Sequence, residues 1–119
     1  MFEIEIYEDA KGNSPISDYL ESLNEKAQTS KNERIRLKKI SEYLELVKHH
    51  GTRIGLPVTK HIEGKIWELR PTNDRILFAH WNGNTFILLH HFVKKTKKTP
   101  KSEIEKAKNN LKDFWERSQ

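Results

Sequence analysis

The sequence contains no cysteine, a single methionine, and no apolar run of membrane-spanning length. Without thiols the chain has no disulfide, no thiolate metal ligand and no cysteine nucleophile. A transmembrane helix needs roughly 20 apolar residues, and the opening Phe2-Glu3-Ile4-Glu5-Ile6-Tyr7 alternates with acids instead of forming a secretory leader. These absences predict a soluble, cytoplasmic protein with no membrane partner. Glycine and proline are also sparse, five and four in 119 residues, so each one punctuates a boundary. No glycine-rich phosphate loop and no serine elbow is present. Zinc and two-metal chemistry are disfavoured as well, because no helix-spaced histidine pair joins a carboxylate cluster, and no cofactor is implied.

What is abundant is charge. Charged residues make up 33% of the chain and hydrophobic ones 34%, which predicts a small core under a heavily charged surface. The length suits one domain over residues 1–119. Lys+Arg 22 against Asp+Glu 17 leaves a formal net charge of +5, which points to polyanionic partners but is moderate, so position matters more than total.

Phe2, Ile4 and Ile6 alternate as in a strand with one buried face. Ser14-Pro15 reads as an N-cap followed by a first-turn proline, and Ile16, Tyr19, Leu20 and Leu23 form the stripe of a helix behind it. Ser30-Lys31-Asn32-Glu33 fits a capping box, with Leu37, Ile40, Leu44 and Val47 as the apolar stripe of a longer helix that stops at Gly51. The outer face of that helix, with Arg34, Lys38, Lys39, Glu42 and Glu45, reads as solvated. Gly51 to Gly64 is expected to be a surface loop with a short extended piece around Val58.

Ile66 to Arg70, Arg75 to Trp81 and Thr85 to Val93 read as an antiparallel meander, turning at Pro71-Thr72-Asn73-Asp74 and at Asn82-Gly83-Asn84. The third strand is apolar on both parities, with Phe86, Leu88 and Phe92 expected on one face and Ile87, Leu89 and Val93 on the other. Thr99-Pro100 is read as a cap and proline that start a final helix with the stripe Ile104, Ala107, Leu111 and Phe114. The expected class is α+β in the order β-α-α-β-β-β-α, an antiparallel sheet packed by helices.

The densest charge is Lys94-Lys95-Thr96-Lys97-Lys98, between the last strand and the last helix. Like charges this close repel, and a folded chain keeps them together for an acidic partner, phosphate above all. Strand order alone carries the next step. Arg70 ends one strand, Arg75 begins its antiparallel neighbour, and the lysine tract leaves a third strand returning to the same edge, so all three are expected to converge. Ion pairing of Arg70 with Glu68 or Asp74 is the bland alternative, and exposed pairs of that kind are worth only about 0–1 kcal/mol.

A converging cluster suits metal-independent cleavage of RNA. The 2′-hydroxyl loses a proton, the phosphorane gains negative charge and the 5′-oxygen leaves with a proton. Arginine forks fit phosphoryl oxygens, and a lysine crowded by like charges is suited to proton exchange near neutral pH. His61, His80, His90 and His91 are further proton-transfer candidates. His90 and His91, adjacent on one strand, must face opposite sides, and packing is the commoner role for such residues. Trp67, Trp81, Phe78, Phe86 and Phe92 are better explained by core packing than by base stacking. Trp115 is compatible either with anchoring the last helix or with contacting a partner.

The segments Leu56-Pro57-Val58-Thr59-Lys60, Ile66-Trp67-Glu68-Leu69-Arg70, Asp74-Arg75-Ile76-Leu77-Phe78 and Leu88-Leu89-His90-His91-Phe92-Val93-Lys94-Lys95-Thr96, followed by Thr99-Pro100 and Ile104 to Ala107, span nearly the whole chain. In that order and spacing they resemble the phage-associated HigB-like branch of the RelE/ParE toxin superfamily of type II toxin–antitoxin systems. The resemblance implies a RelE-like fold and ribosome-dependent mRNA endoribonuclease activity that inhibits translation. It also implies a cognate antitoxin of helix-turn-helix type, with a heterotetramer of two toxins and two antitoxins as the analogous assembly. On matching positions Arg70 and Arg75 would bind the scissile phosphate. Lys94, Lys95, Lys97 and Lys98 would position RNA or exchange protons, and Lys60 joins the RNA- and ribosome-binding set. The family's usual small residue before Phe92 is His91 here, which adds His91 to the catalytic candidates. The alternatives are a ParE-like inhibitor of DNA gyrase without nuclease activity and a nucleic-acid-binding regulator.

Overall fold

The computed structural model describes residues 1–118. Strand β1 (Glu3–Ile6) leads to helices α1 (Pro15–Lys26) and α2 (Lys31–His50) and a single 3-10 turn at Gly51–Ile54. Strands β2 (Thr59–Glu63), β3 (Ile66–Leu69), β4 (Asp74–His80) and β5 (Thr85–Val93) follow, and helix α3 (Lys101–Arg117) ends the described chain. The class is α+β, compatible with a RelE-like fold. The five strands lie in the order β1-β5-β4-β3-β2.

The helix starts follow from local chemistry, with two differences from expectation. Ser14 caps α1 by accepting from the Ser17 amide, with Pro15 in the first turn. Ser30 caps α2 by accepting from the Glu33 amide at 3.4 Å, but the reciprocal half of the capping box is not made. The Glu33 carboxylate pairs with Arg36 instead, at 3.3 Å. At α3 the cap position is Pro100 with no side-chain cap, because the Thr99 hydroxyl is committed elsewhere. Gly51 closes α2 at φ +67, where a Cβ would lie 2.9 Å from Phe2 Cε2.

Three expectations about the sheet are corrected. The segment read as a loop contains the edge strand β2, antiparallel to β3 with Lys60 opposite Glu68, so the sheet has five strands rather than four. Lys60, His61 and Glu63 are exposed there, and a solvated edge strand carries no apolar alternation to reveal it. The sheet is also mixed rather than wholly antiparallel, since β1 runs parallel to β5 with Ile4 opposite Phe86. Finally, β5 bulges where the β4 partners step from Leu77↔His90 to Phe78↔Leu88. One extra residue reverses the parity beyond it, so Phe92 packs with Ile87 and Leu89 rather than with Phe86 and Leu88.

Each face of the sheet carries its own core. Ile76, Phe78, Phe86 and Leu88 pack under Ile16 and Leu23 of α1 and Ile40 and Val47 of α2. On the opposite face Leu77, Ala79, Ile87 and Leu89 pack under Ala107, Leu111 and Phe114 of α3. Burying a large aliphatic side chain stabilises by about 1.5–3 kcal/mol, so the central strand β4, buried over six of its seven residues, anchors both layers. Trp115 meets Trp81 edge to face at 4.7 Å beneath the Lys65 ammonium at 4.6 Å, which anchors the end of α3.

Candidate functional site

The β3–β4 turn and the exit from β5 lie side by side. The Lys94 amide donates to the Asn73 carbonyl at 2.8 Å, which pins the first lysine of the tract beside the turn between Arg70 and Arg75. Arg75 sits opposite Phe92 in the β4–β5 register. The turn is strained at Thr72, a β-branched residue at φ +47. Arg75 Nη1 donates to the Thr72 carbonyl at 2.7 Å and to the Asp74 carbonyl at 2.9 Å, so the guanidinium braces the turn that presents it.

Arg70, Arg75, Lys94, Lys97, Lys98 and Lys60 line one groove of about 280 Å³ on the α3 side of the sheet. His61, Ile62, Glu63, Phe92, Thr99, Lys101 and Ile104 complete its walls, and Glu68 lies at its floor, only 2% exposed. Glu68 Oε1 is 3.4 Å from Arg70 Nε and 3.8 Å from Arg75 Nε, while Oε2 accepts from the Thr99 hydroxyl at 2.6 Å. Burial depresses the Arg75 pKa; Glu68 opposes that depression and Arg70 adds to it. A guanidinium remains charged under such a shift. Arg70 Nε is buried without a hydrogen-bond partner.

Two predicted residues lie elsewhere. Lys95 lines a separate groove with Val93, Thr96, Pro100 and Glu103. His91 faces the α1 side, where its ring stacks on Tyr19 at 3.8 Å and its Nε2 meets Asp74 Oδ1 at 2.9 Å. His90 faces α3 and meets Glu103 Oε2 at 2.9 Å, so the two histidines do point to opposite sides. His61 Nε2 lies 2.8 Å from the Gly64 carbonyl and is the histidine that borders the arginine groove. Among the described residues no group of three or more His, Asp or Glu is arranged to hold a metal ion, and no helix is long and apolar enough to cross a membrane.

The family model described as phage-derived protein Gp49-like (DUF891) matches residues 18–112, from within α1 to within α3 and across the whole groove. The chain belongs to this Gp49-like family. The family is associated with RelE/HigB-like toxins. A search of curated proteins finds no match.

Behind the groove, the Gp49-like chain carries a polar assembly that sequence reasoning missed. Asp74 is fully buried and accepts from Tyr19 Oη at 2.7 Å and from Arg36 Nη2 and Nε at 2.8 and 3.1 Å, besides its contact with His91. Burial alone would raise the Asp74 pKa, but the hydrogen bonds from His91, Arg36 and Tyr19 overcome it and hold the carboxyl well below its usual range. Burial and the adjacent carboxylate push the Tyr19 hydroxyl up, which keeps it a donor. Tyr19 and Arg36 come from α1 and α2, so this assembly ties the helical hairpin to the first residue of β4, next to Arg75. Only the shared parity of Glu68 and Arg70 signalled the groove floor in the sequence; nothing local signalled the partners of Asp74.

Proposed function

We propose that this chain is the toxin of a type II toxin–antitoxin pair, of the HigB-like branch, and that it cleaves mRNA on the ribosome. One observation carries the reading: two arginines and Lys94 open onto one groove, flanked by Lys60, Lys97 and Lys98. Family membership supports it.

A phosphodiester lying in the groove places its non-bridging oxygens against the Arg70 and Arg75 guanidiniums. As the 2′-oxygen attacks phosphorus, the phosphorane gains charge, and donors held in advance stabilise that charge without reorganising. The 2′-hydroxyl proton passes to a base, the bond to the 5′-oxygen breaks, and that oxygen takes a proton. The products are a 2′,3′-cyclic phosphate and a 5′-hydroxyl. Lys94 and His61 border the groove and are the groups for proton exchange, whereas His91 is engaged by Asp74 and Tyr19 on the other face. Lys60, Lys97 and Lys98 neutralise neighbouring phosphates. The ribosome supplies the alignment of the 2′-hydroxyl, an orientation effect that a shallow groove alone does not impose. A cognate antitoxin restrains the activity in the cytoplasm.

The test is primer extension on mRNA after a short induction of the wild type and of Arg70→Ala. Discrete ends at codons with the wild type, absent with the variant, are expected. Intact message with DNA breaks would redirect the reading to gyrase, and salt-sensitive RNA binding without cleavage would redirect it to a regulator.

A further inference from the structure

Glu68 is an unusual floor for an RNA-binding groove, because a carboxylate repels phosphate. It is buried at 2% exposure and faces two guanidiniums and a hydroxyl. An unpaired buried charge would be costly, and these neighbours offset the cost. The geometry is uneven. Thr99 makes a short hydrogen bond to Oε2 at 2.6 Å, whereas the two arginine Nε atoms approach Oε1 only at 3.4 and 3.8 Å. Arg70 Nε stays unbonded although it is buried. Arg70 is therefore held beside Glu68 by charge without being consumed by a hydrogen bond, whereas Arg75 is also held by the Thr72 and Asp74 carbonyls.

We propose that Glu68 is the positioning residue of this site, aiming Arg70 at the scissile phosphate beside the separately braced Arg75 and, through Thr99, fixing the end of the lysine loop against them. Glu68 sits on β3 opposite Lys60 of β2 and Leu77 of β4, so its backbone is paired on both sides. Thr99 lies immediately before Pro100, the cap of α3, and its bond to Glu68 ties the end of the loop from Lys94 to Lys98 to the groove floor. One carboxylate thus sets the distance between the two cationic halves of the site. The inference rests on the nuclease reading and adds a role to a residue that touches no substrate.

Charge and position predict opposite outcomes, which makes the test sharp. Glu68→Gln removes a negative charge from the floor, so simple electrostatics predicts tighter RNA binding and unchanged or faster cleavage. Positioning predicts that KM is unchanged or lower while kcat on ribosome-bound message falls about tenfold or more, the pattern of an interaction expressed in the transition state. Thr99→Val keeps the carboxylate and releases only the loop, and a smaller fall in kcat of about threefold to tenfold is expected from the same reasoning. A kcat for Glu68→Gln within about twofold of wild type would overturn the proposal. The second arm is independent of catalysis: ¹H–¹⁵N spectra of the arginine Nε–H groups in the free protein. A distinct, ordered Arg70 signal that becomes mobile in Glu68→Gln is expected, with Arg75 still held by the turn carbonyls, and an Arg70 signal equally ordered or equally mobile in both proteins would also overturn it. If the Gln variant does not fold, Thr99→Val decides alone, with a kcat equal to wild type and unchanged arginine signals counting against the proposal. Should wild type cleave nothing on ribosomes, the nuclease reading fails while the spectra still decide whether Glu68 orients the Arg70 guanidinium.

Discussion

Asp74→Asn tests the buried assembly behind the groove. The wild-type carboxylate is fully buried and receives four contacts within 3.1 Å, from Tyr19, Arg36 twice and His91. The amide keeps the shape but loses the charge, and its nitrogen must face donors. Breaking one partner of a buried ion pair costs about 3–5 kcal/mol. Arg36 is 29% exposed, so water recovers part of its solvation and the low end applies, about 3 kcal/mol. For a chain of this length that corresponds to a fall in Tm of about 10 °C. The pH dependence has a definite sign. A carboxyl whose folded pKa lies below its unfolded value stabilises fully above the unfolded pKa, about 3.9, and loses that contribution as pH falls toward the folded value. The gap in Tm between wild type and variant should therefore narrow as pH falls below about 4. Thermal unfolding by circular dichroism across that range measures both. A Tm loss at pH 7 below about 3 °C, or a gap that fails to narrow below about pH 4, would refute the reasoning.

Arg75→Lys keeps a positive charge but not the fork that holds the Thr72 and Asp74 carbonyls. It should fail to restore toxicity in a growth assay and should lower stability by about 1–2 kcal/mol in urea titration. Lys97→Gln and Lys98→Gln remove the phosphate contacts proposed for them, and each should reduce the slope of log affinity against log salt by about one in RNA-binding titrations without changing the fold. Gly51→Ala forces a Cβ to within 2.9 Å of the Phe2 ring at φ +67, so a loss of at least about 1 kcal/mol is expected by chemical denaturation. An unchanged midpoint would count against both the close approach to Phe2 and the backbone strain at φ +67.

The convergence of the basic residues was legible because it depends only on strand order. A turn joins Arg70 to Arg75, and an antiparallel return brings Lys94 back to Asn73. The structure sorts the cluster in a way composition does not, placing Lys94, Lys97 and Lys98 on the groove and Lys95 on another. Two adjacent lysines on an extended segment diverge for the same reason that His90 and His91 do. His91, which departs from the pattern of the resemblance, has as its neighbours a tyrosine from α1 and the buried Asp74.

By itself the sequence determined the three helices, four of the five strands and the edge on which charge gathers. These follow from caps, turn residues and periodicity, each settled within a few residues of chain. Only the tertiary structure decided the strand at Thr59–Glu63, the parity of Phe92, the burial of Glu68 and the partners of Asp74. Edge pairing, a one-residue bulge and the desolvation of a carboxylate are consequences of what packs opposite. For Asp74 the hydrogen-bond donors lie as far as 55 residues away, beyond the reach of any local pattern.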